Sequence, residues 1–180
     1  YVVDTGAIHS DLRVSQCLEL SRGSLVACSD PSDASGHGTQ VAGVAAAVDD
    51  AAGAVGVAPG IDVYAVQALN EGGRIVLGRL LAVVDYVTQQ KIGNPSRPIV
   101  VNMSLGSNVN ATNYNGLDQA IQASIEAGVV YVFAAGNSGI NAETITPAHV
   151  SEGITVGSYN EGRQFSGFSN YGSLIDILAP

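Results

Sequence analysis

Positive charge is scarce in this sequence. Its 180 residues carry 7 Lys and Arg against 16 Asp and Glu, a formal net charge of −9. Phosphate binding needs a basic face, so the charge argues against nucleic acid as a partner, and an anionic membrane surface is disfavoured for the same reason. Long apolar runs are missing too: none approaches the ~20 residues that span a bilayer. Charged residues of both signs make up only 13% of the chain while hydrophobic residues make up 46%, which excludes a disordered or coiled-coil protein. Cysteine is limited to Cys17 and Cys28, whose spacing has no metal-site form; either they close a short surface loop as a disulfide or they remain two thiols. The sequence has neither an initiating Met nor a signal-peptide pattern at Tyr1. It opens inside an apolar run and stops mid-pattern at Leu178-Ala179-Pro180, and it reads as an internal fragment of a longer protein.

What is present is a regular alternation. Residues 1–4, 61–69, 99–104, 129–135, 153–158 and 174–178 have the short β-type runs of strands. Residues 37–48, 76–90 and 116–127 carry apolar residues at helical spacing. Strands alternating with helices predict an α/β fold with a mainly parallel sheet. No repeat or linker interrupts residues 1–180, which read as one domain. Residues 18–35 and 137–151 are expected to be irregular. In such sheets ligands bind beyond the carboxyl ends of strands, which is where Asp4, Ser104 and Asn137 fall.

Three residues, each at a strand or helix end, suggest acyl-transfer chemistry. Asp4 ends Val2-Val3-Asp4-Thr5-Gly6, and a carboxylate there can orient an imidazole; by itself it would equally start a turn. His37 opens His37-Gly38-Thr39-Gln40-Val41-Ala42-Gly43, at the mouth of a helix. An imidazole titrating near pH 6.5 serves as both base and acid at neutral pH. His9 and His149 lack such a context and read as surface residues. Asn137 ends Ala134-Ala135-Gly136-Asn137, where a neutral donor can meet an oxyanion, although Gly-Asn-Ser-Gly is also good turn chemistry.

These segments, with Gly56-Val57-Ala58-Pro59, Asn102-Met103-Ser104-Leu105-Gly106 and Phe168-Ser169-Asn170-Tyr171-Gly172, together resemble the subtilisin-like serine proteases, the last piece resembling the proteinase K branch. The resemblance runs from Tyr1 to Pro180. It implies a three-layer α/β fold with a mainly parallel central sheet, cut at both ends, and a secreted endopeptidase acting on polypeptides by an Asp-His-Ser mechanism. It also implies a propeptide in the precursor and no organic cofactor. By the same resemblance Ser104-Leu105-Gly106 and Ala134-Ala135-Gly136 wall the pocket for the substrate's P1 side chain. Gly72 and Gly73 offer an edge to an extended substrate. Asp11 and Asp50, with the carbonyls of Val48, Ala52 and Ala54, resemble a structural Ca²⁺ site.

Two departures stand out. Gln40 replaces the histidine common after His-Gly-Thr, and the Gly-Thr-Ser nucleophile motif is absent from residues 1–180, so the nucleophile is expected beyond Pro180. A non-catalytic domain of the same family used for binding is the rival reading. A more distant one is an aspartic protease, since Val3-Asp4-Thr5-Gly6-Ala7 also fits that motif. Asn110-Ala111-Thr112 and Asn102-Met103-Ser104 fit N-glycosylation acceptors, the second at a position expected to be buried.

Overall fold

Val2, Val3 and Asp4 form β1 (Val2–Asp4), buried at every position, as a strand covered on both faces must be. In the computed structural model, which describes residues 1–69, 72–108 and 115–180, the chain divides into two compact units, Tyr1–Tyr86 and Val87–Pro180.

In the first unit β1 pairs in parallel with β4 (Val63–Gln67), Val2 opposite Ala65 and Asp4 opposite Gln67. β4 pairs in parallel with β2 (Val14–Ser21), and β2 turns back antiparallel into β3 (Ser24–Ala27). Helix α1 (His37–Ala46) buries Gly38, Ala42 and Ala46. Its small side chains let it settle closely on a core of Val2, Ala7, Leu12, Val63 and Ala65, at the packing density usual for interiors.

Helix α2 (Leu77–Gly93) buries Leu80, Val83, Val84 and Val87, and the division between the units falls within it. The second unit is a parallel sheet in the order β10 (Ile177–Ala179), β9 (Ile154–Ser158), β7 (Val130–Ala134), β5 (Val100–Met103). β6 (Ser107–Asn108) and β8 (Ile145–Thr146) form a separate two-residue antiparallel pair. Helix α3 (Asn115–Glu126) contributes Leu117 and Ile121, and β7 contributes Tyr131 and Phe133, to its interior.

The α/β reading holds, the open choice for the two cysteines is settled and three expectations change, one being that residues 137–151, expected to be irregular, contain β8. Residues 18–35 are not irregular throughout, because they contain the end of β2 and all of β3; only Leu18 of these two strands is fully buried, so they carry little of the alternation that marks a half-buried strand. The last strand is Ile177–Ala179, later than residues 174–178. Cys17 and Cys28 form a disulfide, which ties β2 to the residue following β3. Closing a loop of that size contributes about 2–4 kcal/mol.

Candidate active site

Asp4 is the last residue of β1 and His37 the first of α1, and both lie in the first unit. Nδ1 of His37 is 2.7 Å from Oδ1 of Asp4. Asp4 is fully buried while the imidazole is 49% exposed, so one ring nitrogen is bound to the carboxylate and the ring still reaches solvent. The same Asp4 oxygen accepts the backbone N–H of Thr5 at 2.8 Å. Close approach of the two elements depends on Gly38. A Cβ there would lie 2.9 Å from the Asp4 Cβ and would collide with the Gly6 carbonyl oxygen.

The start of α1 is capped in an unusual way. Its N-cap residue, Gly36, has a left-handed backbone, φ 76°, and no side chain to offer. Asp33 supplies the carboxylate instead. It accepts from the Thr39 N–H at 2.8 Å and from the Gly36 N–H at 2.9 Å. It also accepts the hydroxyls of Thr39 and Thr5, each at 2.7 Å. Burial raises the pKa of this carboxyl, and the hydrogen bonds from Thr39, Thr5 and Gly36 outweigh it, leaving the group below its ordinary value. The sequence carried a signal for this residue, an Asp just ahead of a predicted helix, but not for its link to Thr5.

In the second unit, Met103 and Phe133 are register partners on the adjacent parallel strands β5 and β7. Ser104, just past the end of β5, and Ala134, the last residue of β7 and still paired with Val156 of β9, therefore lie at the same carboxyl edge of the sheet. Of the six residues expected to wall a pocket, Leu105 and Ala135 are buried, Ser104, Ala134 and Gly136 are half-buried, and Gly106 is exposed. Leu105 and Ala135 thus turn their side chains into the unit and offer mainly backbone. Asn137 is exposed, and its side chain makes no hydrogen bond among the described residues. Its loop is held from below by Asn170. At Gly136 φ is 102°, and a Cβ there would collide with the Asn170 amide.

Other predicted positions are less sharply defined. Gly72 and Gly73 are exposed, next to the bridge between Leu69 and Ile75. Asp11 Oδ2 lies 3.0 Å from where a Cβ on Gly53 would be, which puts this carboxylate against the loop of Val48, Asp50, Ala52 and Ala54. The Asp11 carbonyl accepts from the Val48 N–H at 2.9 Å. Asp50 Oδ1 accepts the Ala52 N–H at 3.1 Å, a bond that still leaves a carboxylate with free lone pairs.

His149 is not a surface histidine. Its Nε2 is 2.9 Å from Asp118 Oδ2, with only 11% of the side chain exposed. The neighbouring Glu152 accepts from Gln122 at 3.0 Å. Asp118 and Gln122 are four apart on α3, so residues 149–152 run along that helix. His9 does remain exposed. Asn102 is half-buried, its amide donating to Ser104 Oγ at 2.9 Å. The Asn110 acceptor falls outside the described residues.

A parallel α/β scaffold that brings a buried Asp from a strand end onto a half-exposed His at a helix start fits a hydrolase of the subtilisin type. The chain belongs to the subtilase family, whose pattern it matches over residues 2–180. It is 34% identical to subtilisin DY of Bacillus licheniformis over 184 residues, covering 99% of the chain and 62% of that protein. It is 35% identical to alkaline serine exoprotease A of Vibrio alginolyticus, covering 100% of the chain and 31% of that protein. A similar solved structure, a cold adapted subtilisin-like serine proteinase, has a TM-score of 0.81 and 36% identity. The match covers 100% of the chain and 61% of that structure. The chain therefore spans less than two thirds of the length of these relatives.

Proposed function

We propose that the complete protein is a subtilisin-like serine endopeptidase in which Asp4 and His37 activate a serine lying outside residues 1–180. The observation that carries this reading is the 2.7 Å bond between His37 Nδ1 and Asp4 Oδ1. A carboxylate on Nδ1 keeps the proton there and leaves Nε2 as the base. Nε2 takes the serine proton as the hydroxyl attacks the peptide carbonyl, and the buried Asp4 charge stabilises the imidazolium so formed. His37 then gives that proton to the leaving amine, and water repeats the cycle on the acyl-enzyme. Asn137, whose amide is uncommitted, donates to the oxyanion, an interaction that exists only after attack.

The P1 pocket between Ser104-Leu105-Gly106 and Ala134-Ala135-Gly136 carries no charged side chain, so the preference is for apolar or neutral residues at P1. A peptide library dominated by Arg or Lys at that position would contradict it. Secretion is supported by the Cys17–Cys28 disulfide, which suits an oxidising compartment. A structural Ca²⁺ is supported by the all-oxygen donor set and by Asp11 lying against the 48–54 loop; Asp11 and Asp50 would hold it, with the carbonyls of Val48, Ala52 and Ala54. The aspartic protease reading is set aside, because Asp4 is committed to a histidine in an α/β scaffold.

The test is peptide hydrolysis. The complete protein should cleave peptides and lose that activity to a serine-directed inhibitor, whereas residues 1–180 alone should have none. Hydrolysis by the isolated 180 residues would overturn the assignment of the nucleophile. Absence of hydrolysis by the complete protein would favour a binding domain.

A further inference from the structure

Asp33 belongs to none of the motifs that carry the family pattern, yet its carboxylate connects both halves of the Asp4–His37 pair. Oδ2 takes the N–H and hydroxyl of Thr39, in the first turn of α1. Oδ1 takes the Gly36 N–H, next to His37, and the hydroxyl of Thr5, next to Asp4. The Thr5 oxygen in turn accepts the Gly38 N–H at 3.1 Å. A relay Gly38–Thr5–Asp33 thus stitches the helix start to the strand end.

The Thr5 hydroxyl has one hydrogen and two carboxylates within reach. Asp33 Oδ1 is 2.7 Å away and Asp4 Oδ1 is 3.3 Å away. The shorter bond to a charged acceptor is the stronger one, so the hydrogen goes to Asp33. Asp4 Oδ1 is left with the His37 Nδ1–H and the Thr5 N–H. Without the Asp33 carboxylate the hydroxyl would swing to Asp4 Oδ1 and compete for the oxygen that His37 uses. Each added donor spreads the charge of that oxygen and weakens its bond to the imidazole.

We propose that Asp33 is a positioning residue of the Asp4–His37 pair: it holds the Thr5 hydroxyl away from Asp4 and fixes the first turn of α1, so that Asp4 Oδ1 serves His37. This rests on the Asp–His reading given under the proposed function. An ordinary helix cap would change stability alone, whereas this role also sets the strength of one hydrogen bond.

The experiment is proton NMR of the His37 Nδ1–H in the full-length protein, paired with steady-state kinetics. The wild type should show that proton far downfield of the backbone amides. In Asp33→Asn it should move upfield or broaden away, and kcat should fall about 10–100-fold, the range for removing a group that orients an active ligand, with KM little changed. A wild type without the downfield proton would overturn the Asp–His reading itself. A wild type that has it, beside an Asp33→Asn protein with the same signal and kcat, would overturn only the role of Asp33. If circular dichroism shows that Asp33→Asn does not fold, Asp33→Glu reads the same link, since it keeps the charge and the Thr5 hydroxyl but shifts the carboxylate by one methylene from the position where it holds that hydroxyl. A displaced signal in that variant supports the proposal, and an unmoved one overturns it.

Discussion

Asn170 donates its side-chain amide to the carbonyl of Ala135 at 2.7 Å from a fully buried position. Its Oδ1 accepts the N–H groups of Ser138 at 2.9 Å and Ile140 at 3.1 Å, and its own N–H donates to Gly136 at 2.9 Å. One side chain therefore replaces the ladder of a neighbouring strand along the loop that presents Asn137. In Asn170→Asp an oxygen faces the Ala135 carbonyl and a charge is buried. We predict a loss of stability of about 1–3 kcal/mol or more, read as a lower urea midpoint, together with a lower kcat as the Asn137 loop loosens. An unchanged midpoint would mean that the loop holds its shape without this amide.

Asn137 should act on the transition state alone. We predict that Asn137→Ala lowers kcat about 10²–10³-fold, the cost of losing one oxyanion donor in subtilisin itself, with little change in KM. His37→Ala should cost more, because base and activated nucleophile fail together. A raised KM with kcat intact would make Asn137 a binding or turn residue.

Tyr131 makes alkaline stability a test of the second unit's core. Burial pushes its phenol up to about 12 from 10.0, against the opposing effect of the hydrogen bond with Ser124. That bond is 2.9 Å long, and Ser124 also accepts from Thr88 at 2.7 Å. Between those two pH values the folded protein holds a proton that the unfolded chain has lost. Stability is therefore full below pH 10.0 and falls as pH rises toward about 12, by about 2–3 kcal/mol. We predict that Tyr131→Phe flattens this decline in chemical denaturation across that range, at the cost of about 1 kcal/mol at neutral pH for the lost hydrogen bond. A decline as steep in Tyr131→Phe as in the wild type would place its origin elsewhere.

Calcium should stabilise the folded protein by mass action. We predict a higher thermal midpoint with Ca²⁺ than with chelator, and a smaller difference in Asp50→Ala and in Asp11→Ala. Equal shifts in the wild type and both variants would remove these two residues as ligands.

The sequence made the strands of the two sheet interiors legible because their burial leaves little room for polar residues. Tyr131 and Phe133 on β7, and Val2 and Val3 on β1, are examples. It hid β2 and β3 because an edge hairpin with one buried residue has no period to detect. Asp4 and His37 were legible because Asp4 closes an apolar run and His37 opens a helical one, next to the Gly38 needed for close approach. The reach of Asp33 to the Thr5 hydroxyl, 28 positions away, and of Asn170 to the Ala135 carbonyl, 35 positions away, was not, since no local pattern encodes a partner so distant in sequence. The His149–Asp118 pair was missed for the same reason: the partner lies on another element, 31 positions earlier in sequence.

The central claim is that His37, held by Asp4, activates a serine. A fluorophosphonate probe reports this directly, because it reacts covalently with a serine whose proton a neighbouring base removes. We predict that the full-length wild type is labelled at one serine outside residues 1–180 and that His37→Ala is labelled far more slowly, by about 10³-fold or more. Equal labelling of the wild type and His37→Ala, or labelling of a serine within residues 1–180, would contradict the account.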